Sequence, residues 1–193
     1  MKYSILLFIA VFAFSQSSCT AQDSKTEASK SGKAQINWMT MEEAQAAQKK
    51  EPRKLMVDVY TKWCGPCKMM MSNTFSHPKI IEFINENYYA VKFNAEGAEE
   101  VTYKGKVYTN PSYNEAKKNS RNGTHQLTGV IAPVNGRIAY PTIVYFDENL
   151  EVIQAVQGYL KPPQIEPILK YFATDSHKTI PWPDYQKGFQ SDI

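Results

Sequence analysis

Residues 55–68 have the sequence LMVDVYTKWCGPCK, in which a short apolar run leads directly into two cysteines. The run over residues 55–60 is nearly continuous, as expected of a strand that is buried on both faces of a sheet. Cys64 and Cys67 follow, and a helix is predicted over about residues 66–73. This order places both sulfur atoms on the first turn of a helix that leaves the end of a buried strand.

The spacing of the two cysteines suits thiol–disulfide exchange, which needs an attacking thiolate and a second thiol that resolves the mixed disulfide. Unpaired N–H groups and the positive end of the helix dipole favour a thiolate at a helix N-terminus. We therefore predict that Cys64 is an exposed nucleophile and that Cys67 is the resolving thiol. Pro66, early in the helix, removes no hydrogen bond that the helix needs.

A CxxC pair can also supply half of a tetrahedral zinc site. The chain has no second CxxC, and its three histidines, His77, His125 and His177, lack the spacing of paired ligands. We therefore predict neither a bound metal nor another cofactor. For His125 the sequence favours a surface or helix-capping position over a catalytic one.

Asp58 interrupts the apolar run, and a carboxylate inside a buried strand is costly unless it has a role or a partner. Burial would raise its pKa and make it a proton acceptor for Cys67. The alternative is a structural aspartate whose hydrogen bonds are satisfied. Lys92, in a second predicted strand over residues 88–94, either pairs with Asp58 across the sheet or is a solvated surface lysine.

The rest of the pattern alternates strands and helices. A helix capped by Thr40 is expected to run to about Lys50, and Pro78 suits the first turn of another helix. Further predicted elements are a small hairpin over 101–109, a helix near 124–132, strands over 141–146 and 151–156, and a closing helix over 164–173. The order βαβαβ followed by ββα predicts one sheet with a parallel first half, an antiparallel edge and helices on both faces.

The N-terminal residues 1–21 have the pattern of an export signal, in which the apolar stretch over 5–14 is too short to span a bilayer. Cleavage after Ala21 would release a soluble protein into the periplasm. Cleavage before Cys19 would instead make Cys19 the lipidated first residue of a membrane-anchored lipoprotein, and the sequence leaves both routes open. Residues 22–35 are polar and are predicted to form a flexible tether.

Composition narrows the class of protein. The chain has 193 residues, of which 42% are hydrophobic, and a formal net charge of +3. That charge is too small to indicate a nucleic-acid partner, and the apolar content suits one globular domain. Because either processing route sets Cys19 apart, only Cys64 and Cys67 remain to pair, and a bond across two residues constrains little of the unfolded chain. We expect a monomer.

From about Ile36 to Ala173 the sequence resembles the thioredoxin family. The resemblance rests on residues 57–68, on Lys92-Phe93-Asn94, on Tyr140-Pro141-Thr142 and on Gly158. It implies an α/β thioredoxin fold, with a central mixed sheet of four to five strands flanked by helices on both faces. It also implies a cis peptide bond before Pro141.

The resemblance further implies what the site does. The partners would be protein disulfides or dithiols, bound as an extended strand, together with an upstream electron donor linked to the membrane. The catalytic residues would be Cys64, Cys67, Asp58 and Lys92. The substrate-binding residues would be Trp63, Gly65, Pro66, Tyr140, Pro141 and Gly158. Combined with the export signal, the expected relatives are periplasmic thioredoxin-like proteins that reduce the disulfides of other proteins.

Two departures from the family pattern leave alternatives open. Residues 97–136 form an insertion before the proline loop, which is either a wall or lid that narrows partner choice or a plain surface excursion. Tyr140 before the proline resembles protein disulfide isomerase domains, so an oxidase or isomerase stays an alternative to a reductase, as does a non-catalytic chaperone or adaptor. The domain is predicted over residues 36–175 and an irregular tail over 176–193.

Overall fold

A computed structural model describes residues 34–193. The predicted export signal, Cys19 and nearly all of the predicted tether lie outside the described residues. The strands of the described part are β1 (Trp38–Met39), β2 (Lys54–Tyr60), β3 (Tyr88–Asn94), β4 (Val101–Tyr103), β5 (Lys106–Tyr108), β6 (Thr142–Phe146) and β7 (Val152–Gln157). Five of them form one sheet in the order β1-β3-β2-β6-β7, and β4 and β5 form a separate hairpin.

Six helices accompany the strands in this part of the chain. They are α1 (Met41–Gln48), α2 (Gly65–Asn73), α3 (Pro78–Asn87), α4 (Gln126–Ile131), α5 (Pro162–Ala173) and α6 (Trp182–Gly188), with 3-10 turns at Glu115–Lys117 and Ser176–Lys178. No helix within residues 34–193 combines the length and the apolar character needed to cross a bilayer.

The sheet has the predicted mixed topology. β2 lies at its centre, parallel to β3 and antiparallel to β6. β1 is parallel to β3, and β7 is an antiparallel edge next to β6. Asp58 is paired in register with Lys92 on one side and with Ile143 on the other, so the acidic residue of the apolar run lies in the middle of the sheet.

Local sequence signals account for where the helices begin. Thr40 Oγ1 accepts the Glu43 N–H at 3.1 Å and the Glu43 carboxylate accepts the Thr40 N–H at 2.8 Å, which completes the predicted capping box of α1. A proline lies in the first turn of α2, α3 and α5, where it removes no needed N–H. Lys104 and Gly105, both at positive φ, form the tight turn of the β4–β5 hairpin.

Two apolar cores lie on opposite faces of the sheet, because alternate residues of each strand point to opposite sides. On one face α1, α4 and the β4–β5 hairpin pack against the sheet, and on the other face α2, α3 and α5 do so. Tyr103, Tyr108 and Leu127 belong to the first core. This part of the 97–136 insertion is therefore not a surface excursion, whereas residues 111–121 are exposed apart from the half-buried Tyr113.

The prediction of an irregular tail over residues 176–193 is wrong in part. The tail contains a 3-10 turn and α6, whose second residue is a proline that suits a helix start. Its aromatic side chains supply the packing energy that the local pattern did not reveal. The Trp182 and Tyr185 rings lie 5.2 Å and 4.8 Å from the ring of Tyr171 in α5.

Candidate active site

Cys64 and Cys67 lie at the N-terminus of α2 and are joined by a disulfide bond, with their Cα atoms 5.3 Å apart. Cys64 is the N-cap residue of α2, and its Sγ accepts the Cys67 N–H at 3.1 Å. This places the sulfur on the unpaired N–H groups of the first helical turn, as the spacing predicts. Among residues 34–193, no group of three His, Cys, Asp or Glu side chains is arranged to hold a metal ion.

The expectation that Cys64 is exposed is wrong for this disulfide-bonded state. Cys64 is 2% exposed and Cys67 4% exposed. The reason is the N-cap geometry, because the Cys64 sulfur is turned onto the helix start, where it bonds to Cys67. Gly65 and Pro66, the first two residues of α2, are instead exposed. They form the accessible surface over the disulfide.

Asp58 and Lys92 form an ion pair inside the sheet, with Lys92 Nζ 2.7 Å from Asp58 Oδ2. Asp58 is 2% exposed, and loss of water raises the pKa of its carboxyl group while Lys92 opposes the rise. Lys92 Nζ also lies 2.9 Å from Met71 Sδ and 4.4 Å from the centre of the Tyr60 ring. Lys92 is therefore paired with Asp58 and is not a solvated surface lysine.

The loop before β6 forms the third part of the site. The Tyr140–Pro141 peptide bond is cis, as the resemblance implies. The Gly158 N–H donates to the Pro141 carbonyl at 2.8 Å, and Gly158 has a φ of +105°, a backbone conformation that favours glycine. The Tyr140 ring meets the Trp63 ring edge to face at 6.1 Å, which joins the proline loop to the cysteine loop. Burial and nearby Glu96 raise the pKa of Tyr140 to about 12.

The sequence profile of a family described as a thioredoxin-like domain matches residues 40–173. The chain belongs to this thioredoxin-like family. It has a thioredoxin-like disulfide oxidoreductase fold and contains the disulfide-bonded pair Cys64 and Cys67. The fold and the family resemblance predicted from the sequence are thus confirmed.

Solved structures that resemble this thioredoxin-like chain agree on the fold. A thioredoxin-fold protein from Helicobacter pylori has a TM-score of 0.51 at 14% identity, over 70% of this chain and 79% of the other. An oxidoreductase named DsbH has a TM-score of 0.50 at 13% identity, over 73% and 86%. A thioredoxin from Thermus thermophilus has a TM-score of 0.50 at 15% identity, over 76% and 98%. No curated protein matches the sequence.

The thioredoxin-like domain has a feature near the cysteines that the sequence analysis missed. Trp63 Nε1 donates to Glu96 Oε2 at 2.7 Å, and the same oxygen accepts the Asn122 N–H at 2.8 Å. The Arg121 guanidinium lies 4.9 Å from the centre of the Trp63 ring. Glu96 therefore links the cysteine loop to Asn122, which directly follows the exposed part of the insertion. The only signal in the sequence is the place of Glu96, two residues beyond the end of β3.

His125 is the N-cap residue of α4 and is 1% exposed, so capping is confirmed and a surface position is wrong. Its Nδ1 accepts the Leu127 N–H at 3.2 Å, and its Nε2 lies 2.9 Å from the Glu99 carbonyl oxygen. The ring is therefore neutral, with its proton on Nε2. Burial lowers the pKa of His125, while the Glu99 carbonyl opposes this shift.

A cleft of about 550 Å³ lies beside the cysteine pair of the thioredoxin-like domain. Its lining includes Cys67, Lys68 and Met71 of α2, Lys62 of the loop after β2 and Lys92 of β3. Asn119, from the exposed part of the insertion, also lines it. The insertion thus contributes one residue to the lining of a cavity that the resolving cysteine and the lysine partner of Asp58 also line.

Proposed function

We propose that the protein is an exported thiol–disulfide oxidoreductase that reduces the disulfides of other proteins. One observation carries the proposal: the Cys64–Cys67 disulfide caps α2 at the end of β2, the strand that also contains the buried Asp58 paired with Lys92. A pair of cysteines that only stabilised the fold would not need a titratable ion pair in the neighbouring sheet.

The reduced protein begins the reaction at Cys64. Its thiolate attacks one sulfur of a substrate disulfide, the substrate S–S bond breaks, and the leaving sulfur departs as a thiolate that takes a proton from water. Cys67 then attacks the Cys64 sulfur, which restores the Cys64–Cys67 disulfide and releases the second substrate sulfur as a thiolate. Two electrons have passed to the substrate, and an upstream dithiol must return two electrons to the pair.

The second attack requires that the Cys67 thiol lose its proton, and Asp58 is the proposed acceptor. Its carboxyl group is buried, and a raised pKa brings its proton affinity closer to that of a thiol. Lys92 Nζ lies 2.7 Å from the carboxylate and lines the same cleft as Cys67, which supports a role for this ion pair in the chemistry of the resolving cysteine.

The substrate is proposed to lie as an extended strand beside Tyr140 and Pro141, close to the start of β6. Trp63 packs against Tyr140, and Gly65 and Pro66 are exposed next to them. Gly158 presents no side chain, and its N–H is already taken by the Pro141 carbonyl. Because few side chains protrude here, the backbone of a partner can approach the disulfide.

A matched pair of cysteine variants tests the proposal. Cys64→Ser should abolish the reduction of insulin disulfides in the presence of a thiol reductant, because the attacking sulfur is gone. Cys67→Ser should keep the attack but lose the resolution, so that mixed disulfides through Cys64 accumulate and identify the partners by mass. Insulin reduction by Cys64→Ser at the wild-type rate would rule the mechanism out.

The direction of electron flow follows from the reduction potential. Equilibration with glutathione should give a value close to that of thioredoxin, about −270 mV, whereas an oxidase would approach about −120 mV. A value near the second figure would replace the reductase with an oxidase. Full biological function of the Cys64→Ser/Cys67→Ser double variant would favour the chaperone or adaptor instead.

Export is part of the proposal and rests on residues 1–21. The protein would act in the periplasm, either soluble or anchored through a lipid on Cys19, as a monomer supplied with electrons by a membrane-linked donor. Mass spectrometry of the mature protein separates the two routes, because lipidation adds acyl chains to Cys19 and cleavage after Ala21 removes it. An unprocessed N-terminus in the exported fraction would contradict both routes.

A further inference from the structure

The charged side chains that line the cleft beside Cys67 are all positive. Its charged lining residues are Lys62, Lys68 and Lys92, and no acidic residue of the described chain lines it. Lys92 is committed to Asp58, whose carboxylate lies 2.7 Å away. Lys62 and Lys68 are exposed, and neither forms an ion pair within residues 34–193. Two cationic side chains therefore remain free to meet a partner.

Two carboxylates near this site, Glu115 and Glu96, are already engaged. Glu115 lies 2.9 Å from Lys118 Nζ and accepts from Tyr113 Oη at 3.1 Å. Glu96 accepts from both Trp63 and Asn122.

Two further carboxylates lie near Lys62. Glu99 and Glu100 line a neighbouring cleft with it, but neither contacts it as an ion pair in the described structure. Lys68, on α2, lies outside that second cleft. Lys68 is therefore the cation beside Cys67 with the fewest competing carboxylates.

A third cation lies across the cysteine loop. The Arg121 guanidinium covers the Trp63 ring at 4.9 Å, and its side chain is exposed. The cysteine pair is thus bordered by lysines on the Cys67 side and by an arginine on the Trp63 side. Cations therefore lie on both sides of the cysteine pair.

We propose that the cleft beside Cys67 binds acidic polypeptide segments, so that the preferred partners carry Asp or Glu next to the disulfide or dithiol that is exchanged. The inference rests on the proposed function and adds the substrate class. A cavity of about 550 Å³ holds a few side chains rather than a folded element, which suits the residues flanking a cysteine. Exposed charges that meet a partner act mainly on the rate of association.

The test uses the full chain with its cysteine pair reduced, and three disulfide-bonded peptides that differ only in the flanking residues: Glu, Gln or Lys. The second-order rate of peptide reduction is measured for each. The Glu peptide should react about 3- to 10-fold faster than the Gln peptide at about 20 mM salt, and the ratio should approach one at about 500 mM salt. The Lys peptide should react more slowly than the Gln peptide.

The charge-reversed variant Lys62→Glu/Lys68→Glu should lower the ratio of the Glu to the Gln peptide to one or below. The ratio is the readout, because any general effect of the substitutions on the cysteines cancels in it. Lys50→Glu is the matched control, since this exposed lysine follows α1 near the opposite end of β2, and its ratio should equal that of the wild type.

Equal rates for the Glu and Gln peptides in the wild type would overturn the inference. The inference would also be overturned if Lys62→Glu/Lys68→Glu left the ratio of the Glu to the Gln peptide rate unchanged. It would be overturned as well if Lys50→Glu lowered that ratio by the same amount. Failure of all three peptides to react with a demonstrably reduced pair would remove the proposed function, and the inference with it. The two cases can be told apart, because disulfide exchange remains measurable when only the inference fails.

Discussion

Lys92 Nζ lies 2.7 Å from Asp58 Oδ2, and the two residues are paired in register on adjacent parallel strands. The Asp58 side chain is 2% exposed, whereas that of Lys92 is 26% exposed. The carboxylate has therefore lost nearly all of its water while its cation keeps some. Desolvation outweighs the attraction, and the pKa of Asp58 is raised although a lysine touches it.

Asp58→Asn should slow the resolution of mixed disulfides about 10-fold near neutral pH, because the acceptor for the Cys67 proton is lost. Single-turnover experiments that follow release of the second substrate thiol measure this step. The first attack by Cys64 should change much less, so a variant that slows both steps equally would argue against a specific role for Asp58.

The same substitution should alter how stability depends on pH. The folded-state pKa of Asp58 lies above its ordinary value of 3.8, so the folded protein holds this proton more tightly than the unfolded chain does. The stability this provides is complete below about pH 3.8 and is lost as the pH rises through the folded-state pKa. Urea unfolding should show this loss in the wild type and not in Asp58→Asn.

Lys92→Met should lower the free energy of unfolding by about 1–3 kcal/mol near neutral pH, because it leaves a buried carboxylate without its partner. In the Asp58→Asn background the same change should cost much less, since no charge is then left unpaired. A double-mutant cycle by urea denaturation measures the difference. Additive losses would mean that Lys92 acts through packing on Met71 and Tyr60 instead.

Glu96→Ala should loosen the exposed part of the insertion, because Trp63 Nε1 and the Asn122 N–H both lose their acceptor. We expect a change in tryptophan fluorescence and faster tryptic cleavage after Arg121 than in the wild type. Glu96→Gln is the matched control, since its amide oxygen can still accept one of the two hydrogen bonds. An unchanged cleavage rate in Glu96→Ala would show that other contacts hold this segment.

His125 should make the domain less stable in mild acid. Its folded-state pKa lies below the ordinary value of 6.5, so its contribution to stability is complete above about pH 6.5 and is lost as the pH falls through the folded-state pKa. A proton on Nδ1 would also break the hydrogen bond from the Leu127 N–H. His125→Asn keeps a capping oxygen and should flatten this dependence in urea unfolding at about pH 5 and about pH 7.5.

Gly158→Ala should destabilise the fold by about 1–2 kcal/mol, because a side chain at a φ of +105° is strained although no atom lies within 4 Å of the added Cβ. Gly129→Ala, on an exposed position of α4 with equal free space, is the control and should gain about 0.5–1 kcal/mol. Thermal unfolding compares the two. Equal effects would show that backbone strain is not the cause.

The sequence predicts best those elements that local chemistry determines. The bounds of β3, the capping box of Thr40, the hairpin turn at Lys104 and Gly105 and the helix that starts at the cysteines all follow from neighbouring residues. The pairing of Asp58 with Lys92 can also be predicted, because both residues lie in recognisable strands of the family pattern.

What the sequence does not predict depends on contacts between distant segments. Glu96 meets Trp63 across 33 positions, and Arg121 reaches the same ring from the insertion. No periodicity or motif relates these residues. The sequence also does not predict the helix that begins at Trp182, and the reason is related. Aromatic packing against Tyr171 stabilises a segment whose local composition favours irregular structure.

The insertion consists of a buried part and an exposed part. Tyr103, Tyr108 and Leu127 are buried in the core, whereas residues 111–121 are largely solvent-exposed and include Asn119, which lines the cleft beside Cys67. The folded core and the exposed surface therefore depend on different residues of one segment. Substitutions in the exposed stretch can accordingly alter the surface beside the cysteines while the core beneath it stays the same.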